Sequence, residues 1–178
     1  EIKYIDLQND KKQIHTLIEG FKTNAYVVDN IGDRLLLVTN DGASNNQLVY
    51  VDVKNKSREH WKTVIPNDVR RKLESVSIID NKLFVKYLHN ACSEISFFDL
   101  NGKYINDIKL PGIGSIGGFS GKKEDKIIYY SFSSFNYPNT IFTYNIETKS
   151  SNLYFQPDVK FNPDDYEVKQ VFYPSKDG

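Results

Sequence analysis

Apolar and polar positions alternate along this chain in short runs, and the runs recur at a fixed period. Four of them share one pattern: alternating apolar residues, then Asp or Asn, then an apolar residue, then a polar turn. They are Ile2–Leu7, Leu48–Val53, Ile95–Leu100 and Ile141–Ile146. The Asp/Asn positions are 6, 52, 99 and 145, separated by 46, 47 and 46 residues. Equal spacing of this kind marks a repeat architecture. An acid or amide at the end of a strand can take a backbone N–H from the next residues and start a turn.

Each period predicts further strands in a fixed order. A short outer strand follows the turn: Gln13–Ile18, Trp61–Val64, Tyr104–Lys109 and Asn152–Phe155. An inner strand comes next, at Ala25–Asp29, Val76–Asp80 and Ser115–Phe119. A strongly apolar strand then follows a tight polar turn, at Leu35–Thr39, Leu83–Leu88 and Ile127–Phe132. Leu35-Leu36-Leu37-Val38 and Ile127-Ile128-Tyr129-Tyr130 are apolar on both sides, as a strand covered on both faces must be. The inner strands carry small residues, Ala25, Ser75, Ser77, Gly114, Ser115, Gly117 and Gly118, suited to crowding near an axis. The reading is all-β: four-stranded antiparallel sheets that are blades of a β-propeller.

The divisions are the end of one blade over 1–18, blades over 24–64, 75–109 and 114–155, and the start of something new over 167–178. A propeller closes with about four to eight blades, so three complete ones form an open arc whose end blades expose apolar faces. Such faces and unpaired edges predict self-association of the isolated arc. The chain starts at Glu1, contains no Met and ends in Pro174-Ser175-Lys176-Asp177-Gly178, which predicts a segment of a longer protein. One helical stretch is expected, a turn or two at Pro66–Leu73 capped by Asn67 or Asp68.

The 178 residues hold 23 basic and 23 acidic side chains, a balance that argues against nucleic acid as a partner. The basic cluster Arg70-Arg71-Lys72 is short and lies beside acids. No run is long enough to span a bilayer, so no membrane partner is expected. The single Cys92 excludes an internal disulfide. Cytoplasmic and periplasmic locations both remain open.

Several motifs suggest chemistry, and each has a plainer reading. Gly112-Ile113-Gly114-Ser115-Ile116-Gly117 spells a dinucleotide fingerprint, but a strand and turn follow where a helix is required. Ser115 as a nucleophile lacks the Gly two places before it, where Ile113 stands. His15, His60 and His89 fall in different repeats and suggest no converging metal site. Cys92 has no cationic neighbours in sequence to lower its pKa and reads as packing. The aromatic run Tyr129–Tyr144 could form a peptide platform, but alternation puts most of its rings inside the sheet stack. Asn55-Lys56-Ser57 is a glycosylation sequon in a turn. No catalytic, cofactor-binding or metal-binding residue and no cofactor is assigned.

The chain resembles the propeller domain of the prolyl oligopeptidase family of serine peptidases, along essentially its whole length. Ser131-Phe132-Ser133-Ser134-Phe135-Asn136-Tyr137-Pro138-Asn139-Thr140-Ile141-Phe142-Thr143-Tyr144 is similar to the family's last blade. Val171-Phe172-Tyr173-Pro174-Ser175-Lys176-Asp177-Gly178 is similar to its crossing into the hydrolase domain. Gly114–Gly121 and Lys86–His89 match more loosely. The resemblance implies the second half of a seven-bladed propeller. It implies a parent that cleaves short peptides after proline, using a Ser, Asp and His that all lie beyond this chain. The propeller would gate access to that hydrolase domain. One family position near the substrate falls at Ile5, in Tyr4-Ile5-Asp6, where the family often has Tyr-Cys-Asp. The alternative is a stand-alone propeller-like module that binds a protein or peptide.

Overall fold

The computed structural model describes residues 1–8 and 10–177. Its strands are β1 (Ile2–Ile5), β2 (Ile14–Ile18), β3 (Ala25–Ile31), β4 (Arg34–Thr39), β5 (Gln47–Asp52), β6 (Lys62–Ile65), β7 (Lys72–Ile79), β8 (Lys82–His89), β9 (Cys92–Asp99), β10 (Tyr104–Asp107), β11 (Ser115–Ser120), β12 (Ile127–Ser133), β13 (Thr140–Asn145) and β14 (Ser150–Phe155). β1 pairs with β2, and three four-stranded antiparallel sheets follow in the orders β3-β4-β5-β6, β7-β8-β9-β10 and β11-β12-β13-β14. Each order is the order of the sequence, so every sheet is a meander, one blade of an open β-propeller.

The repeated Asp/Asn acts as the sequence suggested. Asp6 Oδ1 accepts from Gln8 N at 2.9 Å, Asp52 Oδ1 from Lys54 N at 2.8 Å, Asp99 Oδ1 from Asn101 N at 2.8 Å and Asn145 Oδ1 from Glu147 N at 2.9 Å. One side chain per period thus closes the turn between the third and fourth strands. The β7–β8 hairpin turns on Asp80 and Asn81, with φ of 49° and 52°. Asn and Asp tolerate this left-handed pair, whose twist matches that of the strands it joins.

The core lies between the sheets. Alternation along β4 sends Leu36 and Val38 toward the second blade, where they meet Leu73, Val76, Leu83, Val85 and Tyr87. Leu37 points the other way, onto Leu17 of β2 beside Val49 and Val51. β8 repeats the device: Leu83 and Val85 face the first blade, while Phe84 joins Phe97, Ile128, Tyr130, Phe142 and Tyr144 between the second and third. The middle strands are apolar on both sides because a sheet covers each side.

At the far end the outer face of the third blade is exposed among the described residues. Ile127 and Tyr129 of β12 and Tyr154 and Phe155 of β14 are exposed, and Tyr129 meets Tyr154 edge-on at 5.1 Å. This is an apolar end face of the kind an open arc implies.

One expectation is corrected. No helix forms at Pro66–Leu73; the stretch is a loop and β7 begins within it, at Lys72. Its backbone is held from outside. Asn45 Nδ2 donates to the carbonyls of Asp68 and Val69 at 2.9 and 3.1 Å, and Leu73 N donates to Asn45 O at 2.9 Å. Asp68 Oδ1 accepts from Arg70 N at 2.9 Å, an Asx turn that competes with a helical turn. Residues 167–173 contain no regular element. Gly178, the last residue of the expected crossing, lies outside the described residues.

Candidate functional site

The inner strands β3, β7 and β11 run side by side, and the two rims of the arc differ in what they carry. One rim bears the connections between blades and the segment that leaves β14. Its order is fixed by bonds between neighbours: Ser93 N donates to Gly114 O at 2.9 Å, and Ile116 N to Ser93 Oγ at 3.0 Å. Gly114 is required here, since a Cβ would stand 2.4 Å from the Ser133 carbonyl and 2.6 Å from the Phe132 ring. Gly117 is equally tight, with Ser131 Oγ 2.3 Å from the position of a Cβ, whereas nothing lies within 4 Å of one at Gly112.

This rim also holds a charged network. Arg71 Nε donates to Asp68 Oδ2 at 2.9 Å and Arg71 Nη1 to Glu94 Oε2 at 3.3 Å, while the guanidinium lies 4.3 Å above the Tyr87 ring. His89 Nδ1 lies 2.6 Å from Glu94 Oε1. Burial pushes the Tyr87 hydroxyl up to about 12, against the opposing pull of Arg71. The backbone N–H of Arg70, and then the side chain of Arg71, hold the Asp68 carboxyl below its usual range. Of the basic cluster, Arg71 is thus held between two carboxylates and Arg70 Nε lies 3.8 Å from Asp68 Oδ1.

The opposite rim is tied by ion pairs at its inner edge. Lys123, in the β11–β12 turn, lies 2.6 Å from Asp29 of β3, a link from the third blade to the first. Asp80 takes Lys126 at 2.6 Å and also pairs with Lys82, and Asp80 N donates to Lys123 O at 2.7 Å. Lys126, and then Lys82, hold the Asp80 carboxyl below the usual aspartate range. The sign follows: a depressed folded value stabilises the fold above about pH 4, the unfolded aspartate value, and that contribution is lost as pH falls through the folded value. Asp80→Asn suits the same left-handed backbone. Its thermal midpoint should lie below that of the parent chain at neutral pH, with the gap shrinking as pH falls below about 4. A gap that stays constant with pH would show that the carboxylate charge plays no part.

The residues singled out in the sequence are scattered. Ser115 stands in β11 opposite Ser133, in a strand and not at a strand-to-helix turn. His15 stacks on Tyr4 at 5.2 Å, and His60 Nδ1 lies 2.7 Å from Ser57 Oγ, so the three histidines sit in different places. Cys92 is a half-buried free thiol at the start of β9. Among the described residues no group of three or more His, Cys, Asp or Glu is placed to hold a metal ion. None of the described helices is long and apolar enough to cross a membrane. In the aromatic run, Tyr130, Phe132, Phe142 and Tyr144 are buried in the stack, while Tyr129 and Phe135 are exposed. Ile5, at the end of β1, is exposed. The interblade ion pairs and the anchoring of the segment after β14 escaped the sequence reading. Their partners lie far apart in the chain, and no local spacing signals them.

Comparison with known proteins agrees with this architecture. The family model described as the prolyl oligopeptidase N-terminal β-propeller domain matches residues 1–157. The chain is 41% identical over 178 residues to the prolyl endopeptidase of Elizabethkingia meningoseptica, which covers all of this chain and 25% of that protein. It is 32% identical over 176 residues to the prolyl endopeptidase of Dictyostelium discoideum, covering 92% of this chain and 23% of the relative. A solved prolyl endopeptidase structure, reported for the role of inter-domain dynamics in catalysis and specificity, superposes with a TM-score of 0.86 at 35% identity, over 95% of this chain and 25% of its own. Apo prolyl oligopeptidase B from Galerina marginata shares the fold, with a TM-score of 0.86 at 23% identity over 99% of this chain and 26% of its own. The chain thus spans about a quarter of the length of these relatives. On the family match to residues 1–157, the chain belongs to the prolyl oligopeptidase family and forms part of its N-terminal β-propeller domain.

Proposed function

We propose that this chain is the non-catalytic propeller half-ring of a serine peptidase that cleaves short peptides after proline, and that it screens substrates by size before they reach a hydrolase domain. The observation that carries the reading is the arc itself: three blades side by side, with Lys123 of the third 2.6 Å from Asp29 of the first at the inner rim. The relatives named prolyl endopeptidase support the parent activity. The hydrolase domain packs on the rim that the chain leaves after β14, and oligopeptides are the substrates of the assembled protein.

Two arms test this. The isolated chain, offered a fluorogenic Gly-Pro peptide and a serine-directed covalent probe, is expected to give no turnover and no labelling. Joined to its hydrolase domain, it is expected to cleave the short peptide and to spare the same sequence held inside a folded protein. Labelling of the isolated chain would place a nucleophile within these residues. Equal cleavage of the free and the folded target would remove the screening role.

A further inference from the structure

The segment after β14 contains only one short helical turn, Pro163–Asp165, yet it is held down. Asn136, in the β12–β13 loop, spends both hydrogens of its side-chain amide on it. Asn136 Nδ2 donates to Pro163 O at 3.2 Å and to Tyr166 O at 2.8 Å. Its Oδ1 accepts from Ser134 Oγ at 3.1 Å, which sets the direction in which the amide faces. The loop that presents Asn136 is itself closed by two backbone bonds, Ser134 N to Tyr137 O at 3.0 Å and Tyr137 N to Ser134 O at 3.2 Å.

Further along, the side-chain amide of Gln170 donates to Asn90 O, in the β8–β9 turn of the second blade. The segment therefore starts on the third blade and ends on the second. Phe161 packs edge-on against Tyr166 at 5.8 Å, and Pro157 and Pro163 restrict the backbone between the anchors. Beyond Gln170 the exposure rises: Val171, Phe172 and Tyr173 are 75%, 70% and 83% exposed, against 44% at Phe161 and 58% at Tyr166.

We infer that residues 156–170 are a docked strap positioned by Asn136, so that the first free joint of the chain lies at Val171 and not at the end of β14. The inference rests on the proposed function only for what lies beyond that joint. A hydrolase domain reached through residue 171 would move about a point fixed over the second and third blades. The strap would travel with the propeller.

Chymotrypsin digestion of the 178-residue chain tests the strap directly. Cutting of a native chain follows the population of the locally opened form. Cutting after Phe172 is expected at least tenfold faster than cutting after Phe161 and Tyr166, while the Tyr173–Pro174 bond resists chymotrypsin whatever its exposure. Asn136→Asp puts an oxygen where the donating nitrogen stood. It should raise the Phe161 and Tyr166 cuts by about tenfold, as the loss of ordinary hydrogen bonds implies, and leave the Phe172 cut unchanged. Equal rates at these three sites in the parent chain, or a ratio unmoved by the variant, overturn the inference. Should Asn136→Asp unfold the blades, cuts inside them will accelerate too. Gln170→Ala then decides, by raising the Tyr166 cut alone or leaving it unmoved. These outcomes concern the chain by itself, so a failed strap leaves the peptidase reading intact.

Discussion

Phe97→Ala is expected to destabilise the chain by about 3–5 kcal/mol, the usual loss for a fully buried phenylalanine. Phe97 lies in β9 with 1% of its surface exposed, between the second and third blades. Its ring sits 4.0 Å from that of Phe84 in its own sheet and meets Tyr144 of the next blade edge-on at 5.1 Å. Truncation removes apolar area and opens a void, and relaxation can close such a void only by moving a side chain or a sheet. Here the walls are β8 and β13, each paired along both edges, so they cannot sag inward. The loss should appear as a lower urea midpoint with an unchanged slope. Leu153→Ala, at a 55% exposed position of β14, is the control and should change stability by no more than about 0.5 kcal/mol. A Phe97→Ala loss as small as that of the control would mean that the second and third blades do not pack together.

The same packing explains what the sequence could disclose. The period was legible because one residue, the Asp or Asn at 6, 52, 99 or 145, makes each turn by bonding two residues ahead. A local bond leaves a local mark. The middle strands were legible because burial on both faces writes an unbroken apolar run, as in Leu35–Val38. The loop at Pro66–Leu73 misled because its two capping candidates act elsewhere: Asn67 Oδ1 accepts from Asn45 N of another loop, and Asp68 closes an Asx turn, while Asn45 Nδ2 holds the carbonyls of Asp68 and Val69. The inner rim was hidden for a related reason. Lys123 reads as one charge in a polar turn, and only the curvature of the arc brings Asp29 to it. Asn136 likewise sits inside a stretch that reads as blade, and its two acceptors are carbonyls, which every residue has.

Gly102→Ala should be nearly as damaging, through geometry and not lost area. Gly102 closes the β9–β10 turn, with its N–H on Asp99 O at 3.0 Å and a φ of +85°. A left-handed residue with a side chain costs about 1–2 kcal/mol by itself. Here the added Cβ would also lie 1.9 Å from the carbonyl oxygen of Val64 and 2.8 Å from its carbonyl carbon. Val64 belongs to β6, the outer strand of the preceding blade, and the atoms in the way are backbone. Relief therefore requires the turn and the neighbouring sheet to part. The next layer of contacts would loosen with them, since Leu100 O accepts from Tyr50 Oη at 3.3 Å across the same junction. A total loss above about 3 kcal/mol is expected, in the range of mutations that break a packed junction. Gly32→Ala separates the two causes. Its φ is +59°, yet nothing lies within 4 Å of the Cβ it would gain, so it should show the backbone cost alone. The difference between the two variants then measures how tightly the first and second blades are pressed together, and two equal losses would mean that Gly102 and Val64 do not touch.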